Sequence, residues 1–205
     1  MKEHPIPFNA EMVRAILDGR KTQTRRPVKH CLKANVGDAC NVRWCGERNH
    51  WQEYAAGGAW LDLKCPHGVP GDRLWVRETH RQLSGWWGEH QRAAPLEYRA
   101  SWETRSDIPW RRSIHMPRWA SRITLEVTAV RVERVQDVSE ADAKAEGITP
   151  LDGELGGLGD YLAASTGCKY KPAFSAIWDS IYTKHGFDWD ANPWVWVVEF
   201  RRLEG

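Results

Sequence analysis

Apolar residues along the chain fall into helical and alternating patterns, separated by long polar stretches. Met12, Val13, Ile16 and Leu17 lie on one face of a helix expected from about Asn9 to Asp18, with Asn9 as N-cap, Glu11 in the first turn and Gly19 as the stop. Thr22 to Val28 reads as a short strand of alternating Thr and Arg. After the turn at Pro70-Gly71-Asp72, Leu74, Trp75 and Val76 form a strand that delivers Arg77 and Glu78 at its end. Ser121 to Val135 is the longest strand pattern. Ile123, Leu125 and Val127 share one face and Val130 and Val132 the other, so a bulge or sharp bend is expected near Ala129. Ser139 with Asp142 makes a capping box for a helix stopped by Gly147. Pro172 opens a second strong helical pattern through Phe174, Ile177, Trp178, Ile181 and Tyr182, and Trp194 to Arg202 closes the chain as a strand buried on nearly both faces.

Two stretches resist this reading. From about 29 to 70 the chain is irregular, with a single hairpin around Trp60 to Leu63, and a second polar excursion runs from about 79 to 117. Both look like insertions into one α+β domain spanning 1–205, built on a bent, mostly antiparallel sheet. The Gly-rich run from Asp152 to Gly167 is expected to be a loop.

Composition narrows the class without naming a function. With 29 Lys and Arg against 27 Asp and Glu, the net charge of +2 excludes a whole-chain basic footprint, so any nucleic-acid surface must be local. The absence of a long apolar run or a secretion signal leads to the expectation of a cytoplasmic protein without a membrane span. Five cysteines cannot all pair, and reduced thiols are the ordinary reading; Cys31, Cys40, Cys45 and Cys65 form an irregular alternative zinc set. No cofactor is expected. Thirteen tryptophans are unusual, and those near Arg111 and Arg112, Trp119 among them, could stack on unpaired bases or pack a long loop.

The richest chemistry lies in Gly19-Arg20-Lys21-Thr22-Gln23-Thr24-Arg25-Arg26. On an extended strand Thr22, Thr24 and Arg26 share one face, and Lys21, Gln23 and Arg25 the other. Composition alone allows a solvated basic edge strand. The pattern Gly19, Lys21, Thr24, Arg26 after a helix, joined to Gly71-Asp72-Arg73-Leu74-Trp75-Val76-Arg77-Glu78, to Val138–Ile148 and to Val197-Val198-Glu199-Phe200, resembles the ASCH family of PUA-like proteins. In length and tryptophan content the chain is similar to the longer ASCH proteins of phages and prophages. The resemblance implies a small, mostly antiparallel β-barrel with flanking helices and a cleft for RNA, a nucleoside or a nucleotide. It also implies a site like that of the N4-acetylcytidine amidohydrolases, with Lys21 stabilising an oxyanion, Thr24 as nucleophile and Glu146 carrying a proton. Arg20, Arg26, Arg77, Glu78, Arg111, Arg112 and Trp119 are the candidate substrate or nucleic-acid contacts. Lys21 and Thr24 are expected to be partly exposed. RNA cleavage, a non-catalytic RNA reader and a phage assembly protein are the competing functions.

Overall fold

The computed structural model describes residues 1–29, 42–45, 50–54, 59–82, 96–101, 109–150 and 169–203. Strand β1 (Glu3–Pro7) leads into helix α1 (Ala10–Leu17), and the Asn9 side chain accepts the Met12 amide as the expected cap. Strand β2 (Gln23–Pro27) follows, then β3 (Val42–Cys45), β4 (His50–Tyr54) and β5 (Trp60–Leu63). Beyond these come β6 (Arg73–Arg77), β7 (His80–Gln82), β8 (Leu96–Tyr98) and β9 (Thr124–Arg134). Helices α2 (Glu140–Ala145) and α3 (Tyr170–Tyr182) precede the closing strand β10 (Trp194–Leu203).

The main sheet has the order β1-β6-β9-β10-β2, with β1 parallel to β6 and the other pairs antiparallel. The mixed α+β class stands, but the expected barrel does not: β1 and β2 remain edges of an open sheet among the described residues. Instead of a backbone ladder, the Arg26 guanidinium of β2 reaches the Pro7 carbonyl of β1 at 2.6 Å. Helix α1 runs between those two edges and packs Val13 and Ile16 onto a core with Ile6, Phe8, Leu74, Val76, Leu125, Val127, Trp196 and Val198. Fully burying aliphatic side chains of this kind contributes about 1.5–3 kcal/mol each. The expected bulge is present. Glu199 pairs with Ala129 and Phe200 with Val127, which leaves Thr128 as the extra residue of β9.

On the other face, α2 and α3 cover Val195 and Val197 of β10 through Ala143, Phe174 and Trp178. The Ser139–Asp142 capping box forms as the sequence indicates. Glu140 then accepts the amides of Lys169, Tyr170 and Lys171 at 2.8–3.0 Å, so one helix start caps the next. The first excursion is more ordered than expected: β3, β4 and β5 pair into a three-stranded antiparallel sheet, and Leu63 joins the core. Within the second, β7 and β8 pair as a short ribbon. The loop expected at Asp152 to Gly167 lies outside the described residues. Among the described residues no helix is long and apolar enough to cross a membrane.

Candidate functional site

Gly19, in the left-handed region at φ 73°, ends α1, and a short pairing of Lys21 with Glu146 fixes the approach to β2. Gly147 makes that approach possible. Its φ is 77°, and a Cβ there would stand 2.7 Å from the Ala15 Cβ and 2.9 Å from the Lys21 Cβ. The Lys21 Nζ donates to the Glu146 carboxylate at 2.7 Å and to the Glu146 carbonyl at 2.8 Å. Arg25 Nη1 donates to the other Glu146 oxygen at 3.2 Å.

This contact opens into a wider network. Arg25 also binds Glu133 and approaches Asp142 at 3.5 Å, while Gln23 Nε2 donates to the Asp142 carbonyl at 2.9 Å. Arg131 of β9 joins Glu133, Asp142 and Glu199. Lys21, Thr24 and Glu146 are 2%, 3% and 6% exposed, so the expectation of partly exposed Lys21 and Thr24 is overturned. The solvated edge strand is excluded by the same burial, because α2 and β9 supply carboxylates for each cation on that face of β2. Burial pushes the Lys21 ammonium down from the usual lysine value, against the upward pull of the Glu146 charge and hydrogen bond.

Glu146 lies at the wall of an open cavity of about 410 Å³, with Asn9, Arg14, Arg20, Gly147 and Thr149 around it. Arg20 is held there by Asp18 at 3.0 Å and the Gly147 carbonyl at 3.3 Å. Glu146 therefore links the buried Lys21 to a cavity with a basic rim, while Lys21 and Thr24 do not line it. Thr24 pairs with Val198 in the sheet and has no hydrogen bond to Lys21 or Glu146 among the described residues.

No protein-family model matches the chain, and no curated protein matches it. A solved ASCH domain is similar. The crystal structure of an ASCH domain from Lactobacillus crispatus aligns with 98% of this chain and 79% of its own, at 14% identity and a TM-score of 0.38. Both figures are too low for the likeness to bear on fold or chemistry.

The remaining candidates are dispersed. Glu78 is fully buried and accepts from Arg122 at 2.9 and 3.0 Å, which satisfies it inside the core rather than at a strand mouth. Arg77 donates to the Ile114 carbonyl and lies 5.4 Å from the Trp75 ring. Arg111 and Arg112 are exposed, and Trp119 is 44% exposed on the same connection. Trp110 lies under Arg81 at 4.4 Å and Arg99 at 5.8 Å. Of the zinc candidates, Cys31 and Cys40 lie outside the described residues; Cys45 and Cys65 are free thiols in no metal-sized cluster among the described residues. Burial pushes the Cys65 thiol up to about 11, so it is protonated at neutral pH.

Sequence reasoning missed Arg25, Gln23, Glu133 and Asp142 as members of the Glu146 network. The alternation of β2 was the available signal for Arg25 and Gln23. Asp142 was legible only as a cap.

Proposed function

We propose that the protein is a hydrolase acting on an amide of a modified nucleoside, of the N4-acetylcytidine type, at the cavity beside Glu146. The observation that carries this reading is the buried Lys21–Glu146 pair at 2.7 Å, of which Glu146 reaches the wall of an open cavity large enough for a nucleoside. On the ASCH resemblance, Thr24 Oγ1 attacks the acyl carbon while its proton passes to Glu146 and Lys21 stabilises the oxyanion; Thr24 and Lys21 are buried and do not line the cavity, so this mechanism requires the seam between β2 and α2 to open and admit the acyl group. The C–N bond then breaks as Glu146 returns the proton to the leaving amine. Water cleaves the threonine ester with Glu146 again moving the proton, releasing the carboxylic acid. Thr24 and Lys21 hold their roles on the ASCH resemblance; the place of Glu146 at the cavity wall supports its role as well.

A second reading, a non-catalytic reader of single-stranded RNA, is favoured by the face where Arg81 and Arg99 lie against Trp110 beside exposed Arg111 and Arg112. Incubation with N4-acetylcytidine and with a labelled single-stranded RNA, followed by mass spectrometry, separates the two. Deacetylation that disappears in Thr24→Ala supports the hydrolase. Salt-sensitive retention of unchanged RNA, with no deacetylation, replaces it with the reader.

A further inference from the structure

The opposite face of β2 holds a second cavity, also of about 410 Å³, lined by Pro7, Arg26, Lys29, Lys64, His67, Tyr182 and Trp196 among others. Its cations come from two segments: the end of β2 running on to Lys29, and the connection between β5 and β6. Lys29 and Lys64 are exposed, and none of Arg26, Lys29 and Lys64 forms an ion pair among the described residues. The cavity lining contains no carboxylate.

Arg26 is the most informative member. Its terminal nitrogens are bound to neutral oxygens, Tyr182 Oη at 3.2 Å and the Pro7 carbonyl at 2.6 Å, while its Nε is buried with no partner. His67 Nδ1 is buried without a partner as well. Two orphaned polar atoms beside converging positive charge are costly, because a buried polar atom without a partner forfeits its hydration. Burial first, then the charges of Arg26, His4 and Lys29, pushes the His67 imidazole down to about 4. The site is thus starved of negative charge.

We infer that this cavity binds a phosphate group, with Arg26 and His67 supplying directed hydrogen bonds, Lys29 and Lys64 supplying charge at the mouth, and Tyr182 and Trp196 forming the aromatic wall. An oxyanion provides several acceptors in a small volume, which matches donors converging from both stretches of chain. The group belongs to a terminal phosphate monoester, as on a mononucleotide, or to a phosphodiester within a strand. The inference does not rest on the hydrolase reading, since Lys21 and Glu146 take no part in it.

The test is calorimetric titration of the full chain with inorganic phosphate, with a nucleoside 5′-monophosphate and with a short single-stranded oligonucleotide lacking terminal phosphates. The corresponding nucleoside is the control. The doubly substituted Lys29→Gln/Lys64→Gln chain, whose changes are at exposed positions, should bind at least tenfold more weakly while remaining folded. In a parallel NMR titration the His67 resonance, assigned by its loss in His67→Gln, should shift its midpoint upward when inorganic phosphate is present. Tighter binding of the monophosphate than of the oligonucleotide assigns the site to a terminal phosphate, and the reverse order to a strand. Equal binding of nucleoside and monophosphate without oligonucleotide binding, or a His67 midpoint that ignores phosphate, overturns the inference. Glu146→Gln should bind phosphate as the unaltered chain does, so loss of hydrolysis and loss of phosphate binding remain separable results.

Discussion

Arg25 and Arg26 are neighbours on one strand, yet they live in opposite electrostatic settings. Arg25 has no exposed side-chain surface and meets Glu133, Asp142 and Glu146. Arg26, pointing to the other face, meets a hydroxyl, a carbonyl and the Phe8 ring, no carboxylate among the described residues, and keeps one buried nitrogen unpaired. The face under α2 is internally neutralised, and the face toward the β5–β6 connection is not. A protein that can compensate a buried arginine so fully on one side, and does not on the other, has left the second side for charge arriving from outside.

The strongest way to break this contrast is to strip the compensated face. Glu146→Ala leaves Lys21 buried without its carboxylate and should cost about 3–5 kcal/mol of stability, measured by urea denaturation. An unaltered midpoint would mean that the network does not hold the fold. Gly147→Ala attacks the same seam through the backbone. With φ at 77° and a new Cβ 2.7 Å from Ala15, it should cost about 1–3 kcal/mol, read from the same denaturation curves.

The open face responds to pH. His67 has a folded value near 4, below the ordinary 6.5, so the unfolded chain binds more protons between those limits. Stability is therefore fully present above about pH 6.5 and is lost as pH falls toward 4, by about 2 kcal/mol after allowing for partial solvent screening. Thermal melts across that window should show the slope in the unaltered chain and a flatter one in His67→Gln. A slope of the opposite sign would contradict the burial of a neutral imidazole. The smallest effect is expected at the exposed arginines. Arg111→Gln/Arg112→Gln should lower the salt slope of single-stranded RNA binding by about 0.7 for each phosphate that the two side chains neutralise, and an unchanged slope would move RNA away from this surface.

Much of this arrangement was legible in the sequence. The Asn9 cap, the Ser139–Asp142 capping box and the bulge opposite Glu199/Phe200 each follow from local chemistry, and local chemistry decided the outcome. Strand β1 was not legible: it holds Pro5 and Pro7 with only Ile6 buried among five residues, and it exists because β6 pairs with it in parallel. The three-stranded β3–β5 sheet was hidden for a related reason, since its stability comes from pairing and from Leu63 in the core rather than from periodicity. Motif reading found Lys21 and Glu146, which the structure brings together across 125 positions of chain. It missed the burial of Lys21, because a lysine pattern suggests solvent until its carboxylate is seen. Nothing in the sequence placed His67 and Lys64 beside Arg26, because their meeting depends on how the β5–β6 connection folds back.

The central claim is that Glu146 carries the proton in amide hydrolysis at its cavity. The measurement that addresses it most directly is the rate of acetate release from N4-acetylcytidine by the unaltered chain and by Glu146→Gln, both verified as folded by circular dichroism at the assay temperature. A rate at least about 100-fold lower in the variant is the predicted result. Equal rates in the two proteins, or no acetate from the unaltered chain, would contradict it.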